Sequence, residues 1–295
     1  MDMKRIFAAV AFGLICLGAR AAGFFPAELG NSIGDSRTAE LAPGVDYGWA
    51  RLDGWRGKTN ELHAVRIDLG KAKVRPFIYE RAGRVVPFGR PSVSAKEKNA
   101  LFTVNGGFFQ WKNPVPYYTH KCGGRTWHGD FKGTRIGFSF ANDGSGAAIR
   151  PLTTNEFDAV ENFITGDFSL RGGKLCGKGL PDVTPAKALA PRTLIGTRNG
   201  ETVVVLVVDG RQKGVSDGIS YAEGGELLRL FGCEEGFNLD GGGSSVMAIR
   251  ADALKGLEGR LNPAAHPASG ADGYIIMNRP SDGNERAVLD NLMFL

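Results

Sequence analysis

Two aspartates in the last third of the chain each end an apolar run and are each followed by glycine. The run 203–208 ends at Asp209, and the run 236–239 ends at Asp240, which three glycines follow. Two carboxylates held close together can divide nucleophilic and proton-transfer roles between them. Asp209 and Asp240 are therefore our candidate catalytic pair, although aspartate before glycine also forms ordinary Asx-turns.

The elements between the two aspartates predict how they would meet. The six apolar residues before Asp209 predict a strand buried on both faces, which is typical of parallel sheets. Ser220 and Glu223 have the spacing of a capping box, which begins a helix that runs to about Phe231. A second strand then leads to Asp240. This order predicts a βαβ unit whose neighbouring parallel strands place both carboxylates at one edge of the sheet.

Several other polar groups are candidates for the same edge. Asn105 ends a predicted strand over residues 101–104. Arg192 lies just before a predicted strand and Arg211 follows Asp209, so either guanidinium could grip a phosphate bidentately. Alternatively, either residue could be an ordinary surface arginine with no ligand.

The glycine-rich segment after Asp240 could cradle an anion with its backbone amides and hydroxyls. Its members are Gly241, Gly242, Gly243, Ser244 and Ser245. It lacks the lysine of a nucleotide P-loop, and residues 246–249 predict a strand where a P-loop needs a helix. A wide hairpin is the alternative interpretation.

Three further patterns carry less weight. Residues 214–218 fit the G-x-S-x-G pattern of a hydrolase nucleophile elbow, and His266 follows in the chain, but the preceding strand ends well before Ser216. His120 and His128 have no third ligand in register, so we do not predict a metal site there. The aromatic residues between 110 and 133 could stack on a sugar or pack against one another.

The first residues predict export. Lys4 and Arg5 precede a short apolar run, and an A-x-A pattern ends at Ala21, so residues 1–21 are predicted to be a cleaved signal peptide. We expect a secreted or periplasmic protein with no stable membrane insertion after cleavage. The formal charge of +5 includes no basic stripe, which argues against a nucleic-acid partner. Cys122, Cys176 and Cys233 would remain, either as one disulfide with one thiol or as three buried thiols.

Four motifs in order resemble the phosphodiester glycosidase family. They are Asn105-Gly106-Gly107-Phe108-Phe109, Pro191-Arg192-Thr193, Val207-Val208-Asp209-Gly210-Arg211, and Asn238-Leu239-Asp240-Gly241-Gly242-Gly243-Ser244-Ser245. The resemblance runs from about Leu62 to the end of the chain, where Glu285-Arg286 is a further landmark.

The resemblance implies a single α+β domain with a twisted mixed sheet flanked by helices. We place a lead-in segment at 22–60 and the catalytic domain at 61–295. It implies hydrolysis of a sugar-1-phosphodiester, of the N-acetylglucosamine-1-phosphodiester kind, on envelope or extracellular glycans such as exopolysaccharide. The family positions carried over are Asn105, Gly106, Arg192, Asp209, Arg211, Asn238, Asp240, Gly241, Ser244 and Ser245.

In the mechanism that we expect, Asp240 faces the anomeric carbon, and Asp209 is its partner or orients it. Arg192 and Arg211, assisted by the glycine-rich segment, stabilise the departing phosphate. Asn105 and Asn238 hold sugar hydroxyls. No cofactor is predicted.

Two alternatives to this mechanism stay open. The first is a non-catalytic binder of phosphorylated envelope glycans. The second is a metal-dependent phosphodiesterase in which the two aspartates and Asn105 form a hard-cation shell.

Overall fold

The structure is a computed structural model that describes residues 23–127, 135–177, 188–254 and 270–295. It contains eighteen strands and three α-helices, which follow in chain order. The strands are β1 Ile33–Ala42, β2 Val45–Trp55, β3 Lys58–Asp68, β4 Pro76–Glu80, β5 Phe102–Asn105, β6 His120–Cys122, β7 Arg125–Trp127, β8 Ile136–Phe140, β9 Ala148–Pro151, β10 Asn162–Ile164, β11 Asp167–Arg171, β12 Lys174–Leu175, β13 Arg192–Arg198, β14 Thr202–Val208, β15 Glu235–Asn238, β16 Met247–Arg250, β17 Tyr274–Ile276 and β18 Asp290–Phe294. The helices are α1 Pro91–Lys98, α2 Thr154–Ala159 and α3 Tyr221–Leu230.

The strands form three sheets. The large sheet has the order β1-β2-β3-β14-β13-β15-β11-β12, the second β7-β6-β10-β8-β9 and the third β17-β16-β5-β18-β4. Every strand pair among the described residues is antiparallel. The α+β class is thus consistent with the structure, but the prediction of a mixed sheet is wrong.

The apolar run of β14 is buried because it lies at the centre of the large sheet. Its alternate residues point to opposite faces, as the pleat of a strand requires. Val203, Val205 and Val207 face a core shared with the second and third sheets. The intervening residues face a second core under α3. A strand that is covered on both faces needs no alternation of apolar and polar residues. The uninterrupted apolar sequence of β14 therefore does not require a parallel sheet.

The βαβ unit around α3 differs from the prediction in one respect. The helix begins as predicted, since the Ser220 hydroxyl accepts from the Glu223 amide while the Glu223 carboxylate accepts from the Ser220 amide. However, β13 lies between β14 and β15 and is antiparallel to both. The two strands therefore run in the same direction without being neighbours. Their carboxyl ends share one end of the sheet, but they are separated by the width of one strand.

The range 22–60, predicted as a lead-in segment, supplies the first two strands of the large sheet. β2 pairs with β3 along its length, and β1 pairs with β2. Tyr47 and Trp49 of β2 are buried in the shared core. This segment is therefore part of the same sheet as the candidate site.

Some predictions fall outside the described residues, namely the signal peptide, His128 and His266. The three described cysteines are all free thiols, and Cys233 is the most deeply buried of them. Within the described ranges, no helix has the length and apolarity that crossing a membrane requires.

Candidate active site

A small cavity of about 250 Å³ opens at the carboxyl end of β15. One carboxylate, Asp240, lines it together with three arginines. The full lining is Phe108, Ala190, Arg192, Arg211, Asp240, Gly241, Gly242, Gly243 and Arg286. Among the described residues, the cavity therefore combines a single acid with a surplus of positive charge.

Asp240 is held by its own backbone and by the turn that follows β5. Its amide donates to the Gly106 carbonyl at 3.0 Å, and its carbonyl accepts from Asn105 Nδ2 at 2.7 Å. Its carboxylate Oδ1 accepts from the Gly241 amide at 2.9 Å. The side chain is fixed on one side, so its remaining lone pairs can face the cavity.

Burial raises the pKa of Asp240 to about 6. Hydrogen bonds from Ser244 and Gly241, and the charges of Arg286 and Arg192, oppose that rise. The carboxyl is therefore mostly ionised at neutral pH yet basic enough to accept a proton. Such a value suits a general base or a nucleophile.

Arg192 is buried beneath the cavity. Its Nε donates to the Ile219 carbonyl at 3.2 Å and its Nη2 to the Ala188 carbonyl at 2.8 Å. Its guanidinium also lies 3.9 Å from the centre of the Tyr221 ring. Burial lowers the pKa of Arg192, and the charge of Arg211 contributes to the lowering. Two guanidinium groups close enough to affect each other make a strong attraction for an anion.

Arg211 and Arg286 are the other two arginines that line the cavity. Arg211 is exposed, with a φ of 60° that places it in the left-handed region. A Cβ added to Gly242 would lie 3.0 Å from its Nη1, so the glycine allows the guanidinium to lie close to the backbone. Arg286 donates to Ser244 Oγ at 3.3 Å and pairs with Asp282. Arg286 is far from the other cavity residues along the chain, so no local sequence pattern predicts that it lines the cavity.

The glycine-rich segment forms a short 3₁₀ turn, Gly242–Ser244, that is tightly packed against its surroundings. A Cβ on Gly243 would lie 2.1 Å from Arg286 Nη2, and one on Gly241 would lie 2.9 Å from the Pro191 carbonyl. The amides of Gly241, Gly242, Ser244 and Ser245 all donate to protein oxygens. These four amides hold the turn and are not available to a ligand, so the three arginines are the main source of positive charge at the cavity.

The model of the phosphodiester glycosidase family matches residues 98–295, well over half of the sequence. The chain belongs to the phosphodiester glycosidase family. The match includes all four motifs that line or support the cavity.

Solved structures share the fold of this family member. The catalytic domain of zebrafish N-acetylglucosamine-1-phosphodiester alpha-N-acetylglucosaminidase, auto-inhibited by its pro-peptide, is 17% identical with a TM-score of 0.60, covering 88% of this chain and 87% of that one. A putative exported protein from Burkholderia pseudomallei is 13% identical with a TM-score of 0.57, covering 88% and 96% of the two chains. A hypothetical protein from Synechocystis has the same identity and TM-score, covering 88% and 63%.

The SPbeta prophage-derived uncharacterized protein YomE of Bacillus subtilis is 39% identical over 102 residues. That stretch is 35% of this chain but only 12% of YomE.

Asp209 does not line this cavity, so the structure does not bring it together with Asp240 at one site as was predicted. Its side chain is fully buried, and both of its carboxylate oxygens accept hydrogen bonds, from Asn278 Nδ2 at 3.0 Å and from the Arg279 amide at 2.9 Å. Asn278 also donates to the Ser245 carbonyl at 3.1 Å. Asp209 is therefore linked to the glycine-rich segment through Asn278.

The two asparagines predicted to hold sugar hydroxyls are also fully buried outside the cavity. Asn105 Oδ1 accepts from the Thr193 hydroxyl at 2.7 Å and the Val246 amide at 3.2 Å. Asn238 Nδ2 donates to Ser169 Oγ at 3.2 Å. Both side chains tie neighbouring strands together, so they position the site instead of touching a ligand.

The G-x-S-x-G segment is not a nucleophile elbow. Ser216 is 1% exposed, and its hydroxyl donates to the Asp209 carbonyl at 2.7 Å and accepts from the Glu61 amide at 3.1 Å. A hydroxyl buried and bonded in this way cannot reach a substrate. Ser216 fixes the loop after β14.

A buried acid–histidine group that the sequence analysis missed lies behind the cavity. His120 Nε2 is hydrogen-bonded to Glu80, and His120 Nδ1 is 3.7 Å from Asp290 Oδ2. Asp290 Oδ1 accepts from the Gly107 amide at 2.7 Å. Burial raises the pKa of Asp290. These residues support the Gly106-Gly107 turn that holds Asp240, and only the fold brings β4, β6 and β18 together.

Proposed function

We propose that this protein is an exported glycosidase that hydrolyses a sugar-1-phosphodiester to a free sugar and a phosphomonoester. The observation that carries the proposal is the convergence of Arg192, Arg211 and Arg286 on Asp240 in one cavity. Membership of the phosphodiester glycosidase family supports the reaction class. A sugar-1-phosphodiester carries a negative charge directly beside the anomeric carbon, and this arrangement of charges is complementary to it.

The arginines bind the phosphodiester and stabilise the charge that develops when the anomeric C–O bond breaks. A phosphate ester is a weak base, so its departure needs less protonation than that of a sugar alcohol. This agrees with a cavity lining in which Asp240 is the single carboxylate among the described residues.

Asp240 acts at the anomeric carbon, either as the nucleophile or as the base that activates water. Both roles need the ionised carboxylate. The nearby guanidinium groups keep it largely ionised at neutral pH, although burial raises its pKa to about 6.

We place the substrate among envelope or extracellular glycans. The signal-peptide pattern at residues 1–21 supports export to the compartment where such glycans occur. The zebrafish protein of similar fold is an N-acetylglucosamine-1-phosphodiester alpha-N-acetylglucosaminidase, so N-acetylglucosamine-1-phosphodiesters are the first substrates to test.

The test is turnover of UDP-N-acetylglucosamine and of an alkyl N-acetylglucosamine-1-phosphodiester by the wild-type protein and by Asp240→Asn. We expect free sugar from the wild type alone. Binding of either ligand by both proteins without turnover by either would instead support a glycan-binding protein. The matched control is Asp217→Asn, because Asp217 is an exposed aspartate before glycine that does not line the cavity.

A further inference from the structure

A second group of polar side chains lies between β3 and the end of β14, apart from the cavity lining. Glu61 and His63 belong to β3, and Asp209 follows β14. All three are buried, with exposed fractions of 5%, 0% and 0%. One oxygen or nitrogen from each lies within 4.8 Å of the other two.

Two atoms in this group lack the hydrogen bonds that buried polar atoms normally make. Neither His63 Nε2 nor Glu61 Oε2 has a hydrogen-bond partner among the described residues. His63 Nε2 lies 3.7 Å from Asp209 Oδ2, which is too far for a hydrogen bond. Leaving such groups unpaired is costly, so their orientation toward a common centre requires an explanation.

The negative charges in this group also call for a bound cation. Glu61 and Asp209 are two carboxylates buried side by side, and isolated buried charges are strongly unfavourable. The nearby cation, Arg279, has its Nε 3.8 Å from Glu61 Oε2, but its side chain is 33% exposed. At that distance it makes no hydrogen bond to Glu61, and Arg279 Nε is itself buried without a hydrogen-bond partner, so the two carboxylates lack a directly bonded side-chain cation.

The geometry fits a bound ion. Zn²⁺ binds imidazole nitrogen and carboxylate oxygen at about 2.0–2.2 Å, which places neighbouring ligand atoms about 3.4 Å apart in a tetrahedral site. The 3.7 Å between His63 Nε2 and Asp209 Oδ2 needs only a small movement to reach that value. One nitrogen and two carboxylate ligands favour a first-row transition ion over Ca²⁺ or Mg²⁺.

The outer contacts orient the ligands as metal sites usually require. Tyr47 Oη lies 2.9 Å from His63 Nδ1, so Nδ1–H can donate to it and leave the Nε2 lone pair facing the centre. Asn278 Nδ2 and the Arg279 amide fix the Asp209 carboxylate.

The Glu80–His120–Asp290 group offers an internal comparison. It also places three potential ligand atoms within 4.8 Å of one another. There, however, His120 Nε2 is directly hydrogen-bonded to Glu80. Its histidine is already satisfied by a carboxylate, whereas His63 Nε2 is not.

We propose that Glu61, His63 and Asp209 bind one divalent transition ion, Zn²⁺ or Mn²⁺, as a structural site. The ion joins β3 to the end of β14. Through Asp209 and Asn278 it also fixes the Ser245 carbonyl, and so the segment that lines the cavity. This site is independent of the proposed reaction and can be tested without a substrate.

The test is the metal content of untagged protein, by mass spectrometry, together with its Tm before and after metal removal and after addition of ZnCl₂ or MnCl₂. We expect about one ion per chain in the wild type, and a rise of roughly 5 °C or more when the ion is restored. His63→Ala and Glu61→Gln should lose the ion and the shift. Glu80→Gln, in the comparison group, should keep both.

A wild-type protein with no transition metal and no shift of Tm would overturn the proposal. It would show instead that Glu61, His63 and Asp209 pack together without a bound ion. Equal metal content in Glu61→Gln and the wild type would also overturn it, and this comparison decides the matter if His63→Ala does not fold.

Discussion

Asp240 is the residue on which the proposed chemistry depends. Its backbone is fixed by Asn105 and Gly106, and its carboxylate faces three arginines. The sequence motif predicts a catalytic role for Asp240, and the fold places it in the cavity lining. The sequence did not separate it from Asp209, because both aspartates follow apolar strands and precede glycine, and only the fold shows which of them lines the cavity.

Asp240→Asn should abolish turnover and leave the protein at least as stable. We expect a loss of about a thousandfold or more in kcat.

The same variant tests the effect of Asp240 on stability. Since the pKa of Asp240 rises from 3.8 to about 6 on folding, the ionised carboxylate destabilises the fold above that pH. The variant should therefore be more stable at pH 7.5, by up to about 3 kcal/mol, and this advantage should disappear near pH 4. Urea unfolding at both pH values measures the difference, and a large destabilisation at pH 7.5 would contradict this assignment.

The pH dependence of kcat/KM should follow the ionisation of Asp240. Because the ionised form is the active one, kcat/KM should rise about tenfold per pH unit below about 6 and level off above it. Initial rates with an alkyl sugar-1-phosphodiester between pH 4 and 8 test this. A profile that falls as the pH rises through 6 would mean that the protonated acid is the active form.

Arg211→Gln should weaken catalysis without unfolding the protein. Arg211 is exposed at the cavity, so its loss should cost little stability but about a hundredfold in kcat/KM, by removing one charge from the phosphate. Arg51→Gln is the control, because Arg51 is an exposed arginine that pairs with Asp53 and does not line the cavity. Equal kcat/KM for Arg211→Gln and the control would show that Arg211 does not contact the substrate.

At the scale of elements, sequence patterns were most informative where local physics decides the outcome. The capping box of α3 was predicted because Ser220 and Glu223 satisfy each other's amides within one turn. The prediction that β14 and β15 are direct neighbours is wrong, because a buried apolar run looks the same in a central strand with antiparallel neighbours. The order of β14, β13 and β15 depends on contacts between distant segments, and no local pattern encodes it.

The turn after β5 is the element whose packing most directly fixes the site. A Cβ on Gly106 would lie 1.6 Å from Asp290 Oδ1, whereas one on Gly107 would have 3.8 Å to its nearest neighbour. Gly106→Ala should therefore destabilise the protein by about 3 kcal/mol or more, and Gly107→Ala by less than about 1 kcal/mol. Thermal unfolding of the two variants compares them, and similar losses would show that Asp290 does not constrain this turn.

At the scale of the molecule, the folding unit is larger than the region that defines the family. The match begins at residue 98, but β14 pairs with β3 through seven residue pairs from 202 to 208. The first two strands could not be predicted, because residues 22–58 are interrupted by glycine and proline and show weak periodicity. They nevertheless cover one side of the shared core.

A fragment of residues 98–295 should fail to fold cooperatively. It would expose the edge of β14, and it would lack Tyr47, Trp49 and Val65 of the shared core. It would also lack two ligands of the proposed ion site. Circular dichroism during thermal unfolding, with the full chain as the control, tests this expectation. A sharp transition in the fragment would show that the first four strands are dispensable.

In the proposed reaction, the bond between the anomeric carbon and its phosphate oxygen is the one that breaks. Hydrolysis of an alkyl N-acetylglucosamine-1-phosphodiester in ¹⁸O-water, followed by mass spectrometry of both products, tests it directly. We predict that the label enters the anomeric hydroxyl of the sugar and that the phosphomonoester stays unlabelled. Label in the phosphate would show attack at phosphorus, and it would contradict the role that we assign to Asp240.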